Sequence, residues 1–148
     1  MNCNGWTVYA YPLFDEQYDR LVERVEMARK VDPVGYLGLP AVKLLAIIDR
    51  YTDEVISANP GAPQFRLGNT LGKSNRHWFR AKFHERYCLF FRFSSKDKII
   101  VYGWVNDEST LCKSGSKTDP YTLFQAMLKS GDPPAAMEQL LALSRKMS

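Results

Sequence analysis

Arg80, Lys82 and His84 occupy every second position of WFRAKFH, residues 78–84. In an extended chain that spacing puts a guanidinium, an ammonium and an imidazole on one face. Arg86 and Arg92 have the same parity in the apolar run that follows, RYCLFFRF. These groups suit the chemistry of an RNA phosphate. RNA carries its own nucleophile, the 2′-hydroxyl, so cleavage needs a proton acceptor, a proton donor and cations facing the developing phosphorane charge. Arg80, Lys82 and His84 can supply them, with the phenol of Tyr121 at the start of a late helix. Two plainer roles compete: His84 as an ordinary turn histidine, and Tyr121 as a helix residue packed on the sheet.

The charge distribution sharpens this reading. The chain of 148 residues has a formal charge of only +4. Residues 64–102, however, hold nine basic side chains against Glu85 and Asp97, whereas residues 1–63 hold six basic and nine acidic ones. The basic stretch also contains both histidines and is interleaved with Trp78, Phe79, Phe83 and Tyr87. Dense positive charge among aromatic rings is a footprint of phosphate-bearing partners. An open sheet face of this kind favours RNA over duplex DNA. Arg66, Lys73, Arg76 and His77 are either auxiliary RNA or ribosome contacts or a solvated loop.

Other chemistries lack their spacing. Three cysteines, Cys3, Cys88 and Cys112, form no C-x-x-C pair, and two histidines complete no zinc framework. Asp107 and Glu108 alone make a thin magnesium site. Between Gly68 and Gly72 stand three residues, one short of the phosphate-binding loop that precedes Lys-Ser/Thr in nucleotide triphosphatases. Neither a metal nor another cofactor is expected.

Several elements must position these groups. Residues 6–11 read as a strand stopped by Pro12, which suits the opening of a helix. Phe14, Tyr18, Leu21, Val22, Val25 and Ala28 then recur at helical spacing, with acidic residues between them, up to Asp32-Pro33. A second helix opens near Pro40 and is terminated by Asn59-Pro60-Gly61. Residues 78–84, 87–93 and 98–105 predict an antiparallel meander. Pro120 starts a helix running to Lys129, capped by Thr118 or Asp119, and residues 135–147 form a final amphipathic helix. The fold class is therefore α+β.

Pairing register decides which faces agree. Setting residue 82 opposite 90 puts Arg80, Lys82, His84, Arg86 and Arg92 on one exposed side and leaves the apolar residues as a continuous core face. Like charges on facing strands cost stability unless an anion lies on them. A phosphodiester backbone is the natural occupant.

Composition sets the outer limits. The length suits one domain spanning residues 1–148. No apolar run approaches the roughly 20 residues that span a bilayer, and the first residues lack the pattern of a signal peptide. Free thiols fit a reducing compartment. A cytoplasmic protein with no membrane partner is expected.

Three segments carry a resemblance: WFRAKFHERYCLFFRF at 78–93, KIIVYGWVNDESTL at 98–111 and GSKTDPYTLFQAMLKSGDPP at 115–134. Together with NGWTVYAYPLFDEQYDRL at 4–21, they resemble the YhaV toxin family of bacterial toxin–antitoxin systems. The best-matching core runs over 79–134, with 135–148 as a helical extension. The resemblance implies a RelE-like fold, a twisted antiparallel sheet with two N-terminal helices and C-terminal helices packed on it. It also implies metal-independent mRNA cleavage at the ribosome, inhibiting translation. The implied partner is a PrlF-type antitoxin with an AbrB-like DNA-binding region, through which the complex would hold operator DNA. By the same resemblance the basic pair is Arg80 and Lys82, the late tyrosine is Tyr121, and Lys113 and Lys117 form the basic turn before it. Cys88 and Cys112 stand where the family pattern has arginine. A thiol cannot stabilise a phosphorane as guanidinium does, so the resemblance leaves two readings open: an attenuated endoribonuclease, or a detoxified RNA- or ribosome-binding variant that still binds antitoxin.

Overall fold

The structure is a computed structural model that describes residues 2–84, 86–106 and 119–147. Its first hairpin joins β1 (Asn2–Cys3) to β2 (Trp6–Ala10). Asn4 and Gly5 both take positive φ there, the conformation a two-residue hairpin turn demands. Helix α1 (Pro12–Val31) follows with proline in its first turn, where the missing N–H costs nothing. Helix α2 (Pro40–Arg50) continues through a π turn, Tyr51–Val55, into the short α3 (Ile56–Ala58). The remaining strands are β3 (Phe79–Phe83), β4 (Tyr87–Ser94), β5 (Ile99–Val105) and β6 (Arg145–Lys146), with α4 (Pro120–Lys129) and α5 (Met137–Leu143) between β5 and β6.

The sheet order is β1-β2-β5-β4-β3, with β6 also paired to β2. Strands β3, β4 and β5 form the expected meander. The expectation of an antiparallel sheet throughout needs correction, because β2 and β5 run parallel. Alternation reports which face a residue occupies, not strand direction, and only a long crossover through α1, α2, β3 and β4 could bring these two strands together in parallel. The fold class α+β holds, with a mixed sheet. No helix among the described residues is long and apolar enough to cross a membrane.

Two further expectations change. Lys82 pairs with Cys88, and Phe83 with Tyr87, so the β3–β4 turn is tighter than a pairing of 82 with 90 requires. The two-residue shift preserves which face each side chain occupies, because side chains repeat every second residue. The amphipathic pattern after residue 134 yields a helix only over Met137–Leu143, and the chain then extends into β6. The Met147 N–H donates to the Val8 carbonyl, and Arg145 donates to Asp15 at 2.7 Å, contacts that a continued helix would forgo.

Both sheet faces are covered. Phe14 and Leu21 of α1, Ile48 of α2 and Ile56 of α3 pack with Val8, Ala81, Leu89, Phe91 and Tyr102. Leu140 and Phe124 pack on the other face with Trp78, Cys88, Phe90 and Val101. A bulge between Phe90 and Phe91 skips Gly103. The absence of a side chain there matters, since a Cβ would lie 2.8 Å from the Trp78 ring. Trp78 thus anchors β3 beneath α4.

Candidate active site

The expected wall of cations on an open sheet face is the fourth correction. Trp78, Cys88 and Phe90 share that face and are fully buried, because α4 lies across it. The rings of Phe90 and Phe124 stack at 4.3 Å, and Trp104 lies parallel to Phe124 at 5.9 Å. The cations are thereby sorted into separate environments. Lys82, His84 and Arg86 are exposed; Arg80 and Arg92 are half-buried.

Arg80 is at the centre of the sequence-expected set. Its Nη1 donates to the Tyr121 hydroxyl at 3.0 Å, and its guanidinium carbon is 5.9 Å from the Tyr121 ring centroid. The Cys88 Sγ is 3.6 Å from the same hydroxyl. Three residues from β3, β4 and α4 therefore meet at one phenol oxygen. Their convergence has local causes. Asp119 caps α4 by accepting from the Tyr121 N–H at 2.7 Å, and Tyr121 sets its ring edge-on to Phe90. The Arg80 Nε is buried and has no hydrogen-bond partner among the described residues. A desolvated donor without an acceptor is costly, and here it belongs to a cation beside a phenol.

Lys82 sits directly across from Cys88 in the β3–β4 ladder. His84 occupies the turn with φ of 53° and lies edge-on to Phe83. Both are exposed where Arg80 is half-buried, and Lys82 lines one cleft together with Arg80. Arg92 is held by the chain ahead of α5: its Nη1 donates to the Ala135 carbonyl at 2.7 Å and its guanidinium lies 5.7 Å from the Trp78 ring. Arg76 donates through Nε to Asn69 at 2.6 Å, and Arg66 forms an isolated bridge with Phe79 at the outer side of β3. Cys112, Lys113 and Lys117 lie outside the described residues, as do Asp107 and Glu108. Among the described residues no group of His, Cys, Asp and Glu side chains is arranged to hold a metal ion. The ion pairs among them join residues of α1 to one another and to Arg145, leaving the cations of β3 and β4 without acidic partners.

Asn106 is a positioning residue that pattern reading misses. It is 2% exposed, accepts from the Cys88 N–H at 2.6 Å, and donates to the Arg86 carbonyl at 2.8 Å. It thus clamps the start of β4. In sequence it looks like a strand terminator, and no local pattern separates a terminator from a clamp.

Comparison with known proteins adds to the geometry. The sequence model of a family described as toxins with endonuclease activity, of toxin–antitoxin systems, matches residues 8–145. The "Ribonuclease toxin YhaV" of Escherichia coli strain K12 is 50% identical over 139 residues, covering 93% of this chain and 90% of that protein. "Toxin YhaV" of Escherichia coli O6:H1 matches to the same extent. No solved structure matches the chain. A family match over this span, with half the residues identical to curated members, places the chain in the YhaV toxin family.

Proposed function

We propose that the protein is the endoribonuclease toxin of a toxin–antitoxin pair, cutting mRNA through the substrate's own 2′-hydroxyl. One observation carries the reading. Arg80 presents a buried donor without a partner among the described residues, beside the Tyr121 phenol, in a family described by endonuclease activity. In the proposed step, Lys82 or His84 takes the 2′-hydroxyl proton and the 2′-oxygen attacks phosphorus. Arg80 stabilises the phosphorane, and the 5′-oxygen leaves with a proton from the Tyr121 hydroxyl. The products are a 2′,3′-cyclic phosphate and a 5′-hydroxyl. Lys117 would close the site from the segment before α4, while Arg66, Arg76, Arg86, Arg92 and Lys113 would line the path of the strand.

The rest of the reading extends the family membership. The whole chain acts as one RelE-like domain in the bacterial cytoplasm, engages mRNA at the ribosome and so inhibits translation. A PrlF-type antitoxin silences it and carries it to operator DNA through an AbrB-like region.

A second reading has a specific basis. Cys88, at a position where the family pattern has arginine, touches the Tyr121 hydroxyl and brings no charge to it, so this copy would bind RNA and antitoxin without cutting. One experiment separates the two. Purified protein is incubated with labelled RNA in excess chelator, and the product ends are identified. Cleavage with cyclic phosphate ends is expected, reduced about 100- to 1,000-fold in Arg80→Ala, the loss typical of a transition-state donor. Intact RNA with the parent protein, and cleavage gained in Cys88→Arg, would establish the detoxified reading instead.

A further inference from the structure

Strand β3 ends the sheet, and among the described residues its outer side is bridged only where Arg66 meets Phe79. Facing the rest of that edge is the π turn of Tyr51–Val55. A cleft of about 250 Å3 lies between them, lined by Tyr51, Val55, Gln64, Phe65, Arg80 and Lys82. Two of these are the basic residues already assigned to the phosphate.

The cleft is held open by identifiable interactions. The Ile56 N–H reaches back to the Tyr51 carbonyl, the long hydrogen bond of a π turn. The Tyr102 hydroxyl donates to the Thr52 carbonyl within the same turn at 3.3 Å. Such turns are rare and concentrate at functional sites. The Tyr51 ring leans on Phe83 at 5.1 Å, and Phe65 is buried edge-on to Phe91. The aromatic walls are therefore fixed by packing, while Gln64 and Lys82 are exposed at the rim.

We infer that this cleft receives the base of the RNA nucleotide next to the phosphate held by Arg80 and Lys82. The inference rests on the proposed ribonuclease reading and gives it a specificity subsite. Size supports one base: the cleft is smaller than the roughly 300–1,000 Å3 of a drug-sized pocket. Chemistry supports it too. Single-stranded RNA is recognised by stacking unpaired bases on aromatic rings and hydrogen-bonding their edges. Tyr51, half-buried, offers the ring, buried Phe65 backs the floor of the cleft, and the Gln64 amide offers a donor and an acceptor together. The unpaired edge of β3 adds backbone groups of both kinds. A strand passing over this edge would rest its phosphate on the cations and drop its base beside Tyr51.

The test maps cleavage sites across a mixed-sequence RNA for the full-length parent and for Gln64→Ala, Val55→Trp and Arg80→Ala. Gln64 is exposed, so its truncation leaves folding intact. Gln64→Ala is expected to flatten base preference at one position beside the cut by about five- to ten-fold, the worth of one or two hydrogen bonds. Val55→Trp, with native circular dichroism, is expected to lower cleavage at the preferred sites by filling the cleft. Unchanged site preference in both variants, with Arg80→Ala inactive, would overturn the base subsite and leave the ribonuclease reading standing. Full activity in Arg80→Ala would instead bring down the reading beneath it. An unchanged cleavage map combined with lost antitoxin binding in Gln64→Ala would make the edge a protein-docking strand and also overturn the inference.

Discussion

At the scale of single residues, burial separates side chains that the sequence presents as equivalent. Lys82 and Arg80 are two positions apart, yet one is exposed and the other is half-buried, with an Nε that has no hydrogen-bond partner among the described residues. His77 differs from His84 in the same way. Burial first, and the Arg92 cation second, push the His77 imidazole below its usual 6.5, and its Nε2 is buried without a hydrogen-bond partner among the described residues. In the unfolded chain this histidine titrates at its usual pH, so between the two values the unfolded state binds more protons. The contribution to stability is complete above about pH 6.5 and is lost as pH falls toward the lower, folded value. Urea unfolding is therefore expected to show falling stability below neutrality. His77→Phe should flatten that dependence, and an unchanged slope would show that His77 is not its source.

At the scale of elements, α4 does two jobs through one helix face. Phe124 is fully buried between Phe90, Trp104 and Trp78, while the first turn of the same helix carries Tyr121 to Arg80. Truncating the ring opens a cavity in the second core. Phe124→Ala is expected to cost about 3–5 kcal/mol of unfolding free energy, read by denaturant titration, and to lower RNA cleavage by loosening Tyr121. Loss of stability with undiminished cleavage would separate the helix's packing from its role at the site. The α2–α3 segment makes a comparable point. Its helical period is plain from Leu44 to Ile56, but the π turn within it accepts a hydrogen bond from the Tyr102 hydroxyl of β5, a partner 50 residues away.

At the scale of the whole molecule, the two sheet faces carry different charge. The α1–α2 side holds Asp15, Asp19, Asp49 and Asp53 around Arg145, and Tyr18 donates to Asp49 at 2.5 Å. Burial, followed by repulsion from Asp49 and Glu54, raises the Asp53 carboxyl above its ordinary value. Among the described residues the cations of β3 and β4 have no such ion pairs, so they are the side expected to meet RNA. Each phosphate contact contributes about 0.7 to the salt slope of single-strand binding. Replacing Arg80 and Lys82 together with alanine should reduce the slope of log affinity against log salt by about 1.4. Replacing Arg20 and Arg24 on α1 should leave it unchanged. Equal slopes for both double variants would place the RNA elsewhere.

Much of this architecture was legible in the residue order. Pro12, Pro40 and Pro120 mark helix starts because proline is tolerated there and disruptive further in. Alternation from Trp78 to Val105 identifies three strands, and parity groups Arg80 with Lys82 and Cys88 for every register that differs by an even number of residues. Those are local properties, set by backbone geometry within a few residues. The sequence also carried the family, through motifs spread along nearly its whole length. Tertiary structure decided the rest: the parallel pairing of β2 with β5, the short α5 and the strand after it, and the helix that buries most of a face expected to be open. It also decided that Arg80, rather than its exposed neighbours, meets Tyr121. Each of these depends on contacts between distant segments, whose closure is settled by packing across the sheet rather than by any periodicity along the chain.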